Sequence, residues 1–475
     1  MCGAELLFGR GWSAYGRCVT ELADLLRKAA SEAATFRASL DQRAVSQPVE
    51  TDALRSSFGG ELQDEPRAAV DVFDELVKAA DAGLVGTVGP RFFGFVTGGA
   101  LPAATAADVL AAGWDQCAFN ATLSPAALAA EHVAGTWAKE LLGVPSGASV
   151  GFVTGAQEAN TVALASARHH VLVERGWDVE QDGLAAAPPV RVVASEERHA
   201  TIDRSLRLLG LGNAAVRPVK ADANGAIDTA DLERVLGQTD EATIVCLQAG
   251  NVNTGACDDL EAACEIAHRH QAWVHVDGAF GLWAAAAPRR KHLVAGVESA
   301  DSWACDAHKW LNVPYDSGLV FVSRPDVHVS AASYTAAYLV GSGQGAAGGG
   351  SDFALQSSRR ARGFAVWAAL RELGRQGVAD LVERTCQLAT RFADQLAAAG
   401  AEIANDVVLN QALVSFGSDA ATDAVIEGVQ RDGTCWMGGT TWRGRRYMRI
   451  SVSNHATTEA DVDRSVDAIL RAMAP

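Results

Sequence analysis

VGFVTGAQEANTVALASARHHVLVERG, residues 150–176, is the stretch from which the fold is read. It opens with a short apolar run, turns at Thr154-Gly155, and continues with the length and composition of a helix. The same figure recurs downstream. VRVVAS precedes HATIDRSLRLLG, TIVCLQAG precedes DDLEAACEIAHRHQ, and AWVHVDGAFG and SGLVFVS close the series. Strands alternating with helices over roughly 180 residues predict an α/β fold, its mostly parallel central sheet flanked by helices.

Outward from this block the pattern changes. ELADLLRKAASEAATFRASL and PRAAVDVFDELVKAADAG read as N-terminal helices, the second starting at Pro66, with SQPVETDALRSSFGG as a polar, turn-rich connector. RFFGFVTGGALP reads as a loop or short extended piece. Two further helices follow, ATAADVLAAGWDQ and SPAALAAEHVAGTWAKELLG, the second entering through Ser124-Pro125. Beyond Arg324 comes a linker with the glycine patch VGSGQGAAGGGS, then the helical RARGFAVWAALRELGRQG, a strand-like RYMRISVSN and a last helix. The expected organisation is an N-terminal helical segment (1–90), a large α/β domain (91–363) and a small α+β domain (364–475).

The chain has 475 residues, 49% of them hydrophobic and 20% charged, and is long enough for two or three domains. Its net charge of −17 argues against nucleic acid or an anionic membrane surface as the main partner. The nine cysteines are scattered without a C-x-x-C pair and read as reduced thiols of a cytoplasmic protein. No signal-peptide h-region and no apolar run of the ~18 residues needed for a membrane span is evident. His268, His270 and His275 lack carboxylate or cysteine company, so no metal site is expected.

In open α/β sheets ligands bind beyond the carboxyl ends of the strands, and three predicted strand ends carry chemistry there. VGFV ends in Thr154-Gly155-Ala156 at a helix start, where free amides suit a phosphate. VHVD ends in Asp277, and SWACDA ends in His308-Lys309. Lysine is rare in this chain (Lys28, Lys78, Lys139, Lys220, Lys291, Lys309), and Lys309 lies in an apolar run. A lysine there can form a Schiff base with an aldehyde, and a buried carboxylate can hold a ring nitrogen protonated. Phosphate, aldehyde and pyridinium together describe pyridoxal 5'-phosphate (PLP). The blander readings are a snorkelling lysine and a structural or helix-capping aspartate.

HVDGAFG followed by HKW, with Asp277 placed 32 residues before Lys309 and both after the T-G-x-x-E-A-N turn, resembles the PLP-dependent group II amino-acid decarboxylases. This is the family of aromatic-amino-acid, glutamate and tyrosine decarboxylases, and the resemblance runs from about Arg91 to Asn454. It implies PLP fold type I and a homodimer wrapped by the N-terminal helices. It implies Lys309 as the Schiff-base lysine, Asp277 as partner of the pyridine nitrogen, Ala279 against one ring face and His199 stacked on the other. His308, Thr154, Gly155, Ala156 and Gln157 would surround the phosphate. Asp306 stands where several relatives have asparagine, a carboxylate unfavourable beside a dianion unless protonated or turned away. Thr97 matches a substrate-contacting threonine. Tyr338, ahead of the glycine patch in a loop near 330–352, matches the tyrosine that reprotonates the substrate carbon; phenylalanine there accompanies aldehyde-forming relatives. QSSRRARG resembles a structural anchor.

Two positions depart from the family pattern. Gly250-Asn251-Val252 replaces a Gly-Thr-Thr turn, and Ala200 replaces a small hydroxyl residue after His199. Both lie near the expected substrate, so the resemblance implies decarboxylation of an L-amino acid without fixing its side chain. The departures motivate the alternative, a C–C lyase or aldolase, an aldehyde synthase or a transaminase, and a scaffold that has lost turnover is the reading of another class.

Overall fold

The computed structural model describes residues 8–334 and 349–474, with side chains from residue 21 onward. A seven-stranded sheet holds β1 (Ser149–Val153), β2 (Val190–Ser195), β3 (Val216–Val219), β4 (Ala242–Gln248), β5 (Trp273–Asp277), β6 (Ser302–Asp306) and β7 (Gly318–Val322), in the order β1-β7-β6-β5-β4-β2-β3. β2 pairs in parallel with β3 and β4, and β4–β5 and β5–β6 are parallel; β7 alone runs against its neighbours β1 and β6. The inner strands read as unbroken apolar runs because helices cover both faces. The alanine-rich helix Ala156–Val173 is buried along most of its length, its small side chains letting it lie close under the strands.

The register sets the functional edge. Gln248 pairs with Asp277, Asp277 with Ala304, Asp306 with Gly318, and Gly318 with Val153. Four strands thus end side by side at one rim. A second, antiparallel sheet has the order β10-β11-β9-β8, from β8 (Glu402–Ile403), β9 (Gln411–Ser415), β10 (Gly438–Trp442) and β11 (Arg445–Ser451). The helix Gly363–Ala398 serves both sheets and breaks at Gly374, whose φ of 59° is left-handed. Ala365, Val366 and Leu370 join the large-sheet core, while Leu388, Phe392 and Leu396 join the second.

Three details differ from the sequence expectation. The polar connector contains a short helix, Thr51–Ser57, with no buried residue. The helix expected to start at Pro66 starts at Ala69. β3 was unread because VRPV is short and holds a proline, which an edge strand tolerates.

Candidate active site

At the aligned strand ends lies a cavity of about 430 Å³ whose lining includes Thr154, Gly155, Ala156, Gln157, His199, Asp277, Ala279, Asp306, His308 and Lys309. Ten positions singled out in the sequence, dispersed over more than half the large domain's strands, share one space.

Asp277, 5% exposed, ends β5 and receives hydrogen bonds at both oxygens: from the Asn160 amide at 3.1 Å and from the Ala279 N–H at 3.2 Å. Lys309 follows β6 in a turn closed by the His308 N–H to the Ser317 carbonyl (3.1 Å) and the Val313 N–H to Ala307 (3.2 Å). Asn312 ties that turn to two distant segments, accepting from the Gly99 N–H at 2.6 Å and donating to the Ser453 carbonyl at 2.8 Å. The Lys309 ammonium lies 2.9 Å from an Asp306 oxygen. Burial opposes its charge, but the charge and hydrogen bond of Asp306, with help from Asp277, outweigh burial and raise its pKa.

Asp306 is not turned away. Its other oxygen takes the Ala156 N–H at 2.6 Å, at the start of the Ala156–Val173 helix, and lies 3.4 Å from His308 Nε2. The His308 Nδ1 accepts the Ser317 N–H at 3.2 Å. Burial lowers the pKa of His308, so the ring is neutral and its Nε2–H faces Asp306. His199 Nδ1 accepts the Thr201 N–H at 3.2 Å. Burial lowers His199 as well, against the pull of Asp277, and leaves Nε2 to carry the hydrogen.

Other expected residues are placed differently. Thr154 gives both its N–H and its hydroxyl hydrogen to Glu158, each at 2.9 Å. The Gln157 side chain turns to Ser205 (3.0 Å), so only its backbone amide is left for an anion. Thr97 is buried and does not line the cavity; its hydroxyl bonds the Tyr315 phenol, whose ring lies 4.4 Å from that of His308. Tyr338 lies outside the described residues. Asn251 does not line the cavity either: its amide ties Glu197 O and caps its own turn. The hydroxyl missing at Ala200 is supplied one residue later by Thr201, which does line it.

Sequence reasoning missed Thr201, Gln248 and Arg449, all in the lining. Gln248 is 5% exposed and its buried Nε2 has no hydrogen-bond partner among the described residues. The Arg449 guanidinium reaches in from β11, donates to the Val252 carbonyl at 3.1 Å, and has no ion pair among the described residues. The terminal Gln of TIVCLQ could have been flagged from its strand-end position; nothing local marks Arg449.

PLP can be tested against this set. The cavity offers a lysine amine, a carboxylate that accepts at both oxygens, and the amides of a helix start, whose first-turn N–H groups lack intrahelical partners. A Cβ on Gly155 would meet the His308 ring at 2.9 Å and Asp306 at 3.1 Å, so this cradle needs glycine. The residues fit the cofactor, with Asp306 sharing the Ala156 amide that a phosphate would use.

The family model for the pyridoxal-dependent decarboxylase conserved domain matches residues 52–417. The chain is 28% identical over 444 residues to tryptophan decarboxylase 1 of Oryza sativa subsp. japonica, covering 85% of each. It is 25% identical over 462 residues to the aromatic-L-amino-acid decarboxylase of Drosophila melanogaster, covering 94% of this chain and 89% of that protein. It is also 25% identical over 373 residues to a phenylacetaldehyde synthase of a Rosa hybrid cultivar, covering 76% and 72%. The fold superposes on Oryza sativa TDC solved with PLP and tryptamine (TM-score 0.88, 22% identity, 96% and 98% covered) and on apo mouse CSAD (0.86, 21%, 95% and 98%). The architecture is therefore that of PLP fold type I, and the chain belongs to the pyridoxal-dependent decarboxylase family.

Proposed function

We propose that this protein decarboxylates an L-amino acid to the corresponding amine and CO2, with PLP held through Lys309. The observation that carries the reading is Lys309 and Asp277 at the ends of adjacent parallel strands, lining one cavity. Bound PLP supplies an electron sink conjugated to the substrate nitrogen, which accepts the electron pair left when CO2 departs.

The chain's own residues do the rest. Lys309 would hold the cofactor through its amine, and Asp306, which pairs with that amine, also has His308 as a partner. Asp277 would pair with the ring nitrogen, and Ala279 would leave room for the ring. His199, neutral and with hydrogen on Nε2, orients the substrate carboxylate. Arg449, a half-buried cation that donates to a carbonyl and has no ion pair among the described residues, binds a carboxylate of the substrate. Tyr338 returns a proton to the substrate carbon, and Thr97 reaches the site through Tyr315. Amine formation is favoured over aldehyde formation because position 338 is tyrosine. The two departures carry no argument against it: Asn251 is occupied in its turn, and Thr201 restores the hydroxyl.

We further infer a cytoplasmic homodimer, in which the segment 1–90 covers a second copy through exposed apolar residues such as Leu22, Leu26, Val72 and Leu76. The division into 1–90, 91–363 and 364–475 belongs to this reading. No described helix is long and apolar enough to cross a membrane. An L-amino-acid panel labelled at the carboxyl carbon, with product mass analysis, tests the function. Labelled CO2 with one amine is the expected result. Aldehyde with ammonia and peroxide, or no labelled CO2 from any member, would overturn it.

A further inference from the structure

Beneath the cavity floor a set of fully buried polar side chains joins Asp277 to His199. Asn160, His275 and Ser302 are 0% exposed and Trp273 is 2% exposed. The Asn160 Nδ2 group donates to Asp277 Oδ2 at 3.1 Å and to Thr201 Oγ1 at 3.1 Å. Its Oδ1 lies 2.9 Å from His275 Nε2; His275 Nδ1 lies 3.0 Å from Ser302 Oγ, which accepts the Trp273 indole N–H at 2.9 Å. Thr201 Oγ1 lies 2.8 Å from His199 Nδ1.

Around Asn160 and His275 one direction of donation satisfies every group. A carboxylate has no hydrogen to give, so the Asn160 NH2 faces Asp277 and its carbonyl faces His275. His275 Nε2 must then carry the hydrogen. Burial pushes His275 down to about 4, so the ring is neutral and Nδ1 accepts from the Ser302 hydroxyl. At the other end Thr201 Oγ1, accepting from Asn160, lies 2.8 Å from His199 Nδ1 and 3.5 Å from Asp277 Oδ2, and His199 Nδ1 takes the Thr201 backbone N–H as well, at 3.2 Å. Asn160 thus forks: one N–H goes to the carboxylate and the other, through Thr201, to the imidazole.

We propose that Asn160, anchored by His275, is a positioning residue that sets the Asp277 carboxylate and, through the Thr201 hydroxyl, the placement of the His199 imidazole. Two groups that line the cavity are thereby oriented by one buried amide. Asn160, His275 and Ser302 are sealed from water, and breaking a link among them leaves an unpaired buried group. This inference rests on Asp277 and His199 serving the cofactor as described under the proposed function.

The test uses the full-length protein, with PLP affinity of the apo form read by fluorescence quenching and the His199 ring by its 15N imidazole resonances in NMR without cofactor. Asn160→Asp keeps the shape but turns a donor into a second carboxylate facing Asp277. It should weaken PLP binding by roughly 10- to 100-fold and shift the His199 Nδ1 resonance. Thr201→Val cuts only the imidazole branch: the backbone N–H keeps the Nε2–H tautomer, while loss of the hydroxyl should shift the Nδ1 resonance, with a smaller change in PLP affinity than Asn160→Asp gives. If Asn160→Asp does not fold, Thr201→Val and His275→Gln, each with the same readout, still decide the matter. His275→Gln keeps a donor toward Asn160 and should retain the parent resonance. Unchanged affinity and Nδ1 resonance in Asn160→Asp, or an unchanged Nδ1 resonance in Thr201→Val, would overturn the proposal. Asp277→Ala, run alongside, separates the two readings. If it binds PLP as the parent protein does, the functional reading fails; if it weakens binding while Asn160→Asp does not, only this inference fails.

Discussion

The floor and the rim of the cavity are built differently. The floor consists of Asp277, Asp306 and Lys309 at or just beyond the ends of adjacent strands, with most donors and acceptors paired within the large sheet or the helix beneath it. The rim comes from segments far apart in the chain: Phe95 and Val96 from an irregular loop, Val252 from the turn after β4, and Arg449 from the second sheet. Phe95 and Val96 both hold a left-handed φ of 56°, and Phe95 is 63% exposed while stacking on Trp436 at 5.3 Å. Left-handed backbone at a β-branched residue costs about 1–3 kcal/mol and persists only where its surroundings impose it. The difference teaches that the reaction is anchored in rigid strands, whereas selectivity is left to loops and a second domain that can change without disturbing it.

If the floor carries the chemistry, substitutions there reduce turnover and those at the rim alter substrate preference. The largest effect is expected from Asp277→Ala, which should lower kcat by about a thousandfold while the apo protein still unfolds cooperatively. Steady-state kinetics beside thermal unfolding check this. Arg449→Met should raise KM about 10- to 100-fold with a smaller change in kcat, because the lost contact is to a charged group of the bound substrate. An equal fall in kcat would place Arg449 on the floor side of the comparison.

Gly98 is where rim and floor touch. A Cβ there would fall 1.9 Å from the Lys309 carbonyl oxygen, so the loop lies directly on the Lys309 turn. Gly98→Ala should cost about 1–3 kcal/mol of stability and lower PLP affinity, measurable by denaturant unfolding and cofactor titration. The smallest effect is a pH slope. Burial pushes His275 down to about 4 and His328 down to about 3, both below the ordinary histidine value near 6.5. Below about pH 6.5 the unfolded chain binds protons that these native rings refuse, so stability falls as pH falls toward 4, by about 1.4 kcal/mol per unit per histidine. Unfolding free energies at pH 7 and pH 5 in the parent protein and in His328→Phe should show a shallower slope in the variant.

Much of the floor was legible in the sequence because strand ends carry their residues in fixed spacing: Asp277 closes one apolar run and Lys309 follows the next. The T-G-x-x-E-A-N turn even contained Asn160, but its role needs the side-chain fork that only the packed helix shows. Asp306 read as a misfit beside a phosphate because its partner, the Lys309 ammonium, lies three residues on, in the turn after β6, and was assigned elsewhere. The rim was mostly illegible. Arg449 sits in a strand of another sheet, and no periodicity announces that its guanidinium crosses to the cavity. The short helix Thr51–Ser57 and the edge strand β3 were missed because neither buries the apolar pattern that makes an element visible.

The account stands on Lys309 as the cofactor's covalent anchor, and one experiment addresses it directly. The PLP-loaded protein is reduced with borohydride, digested and mapped by mass spectrometry, with Lys309→Ala treated in the same way. The account predicts a reduced pyridoxyl adduct on the peptide containing Lys309 in the parent protein, and neither adduct nor yellow colour in the variant. An adduct on another lysine, or a coloured Lys309→Ala protein that reduction still labels, would contradict it.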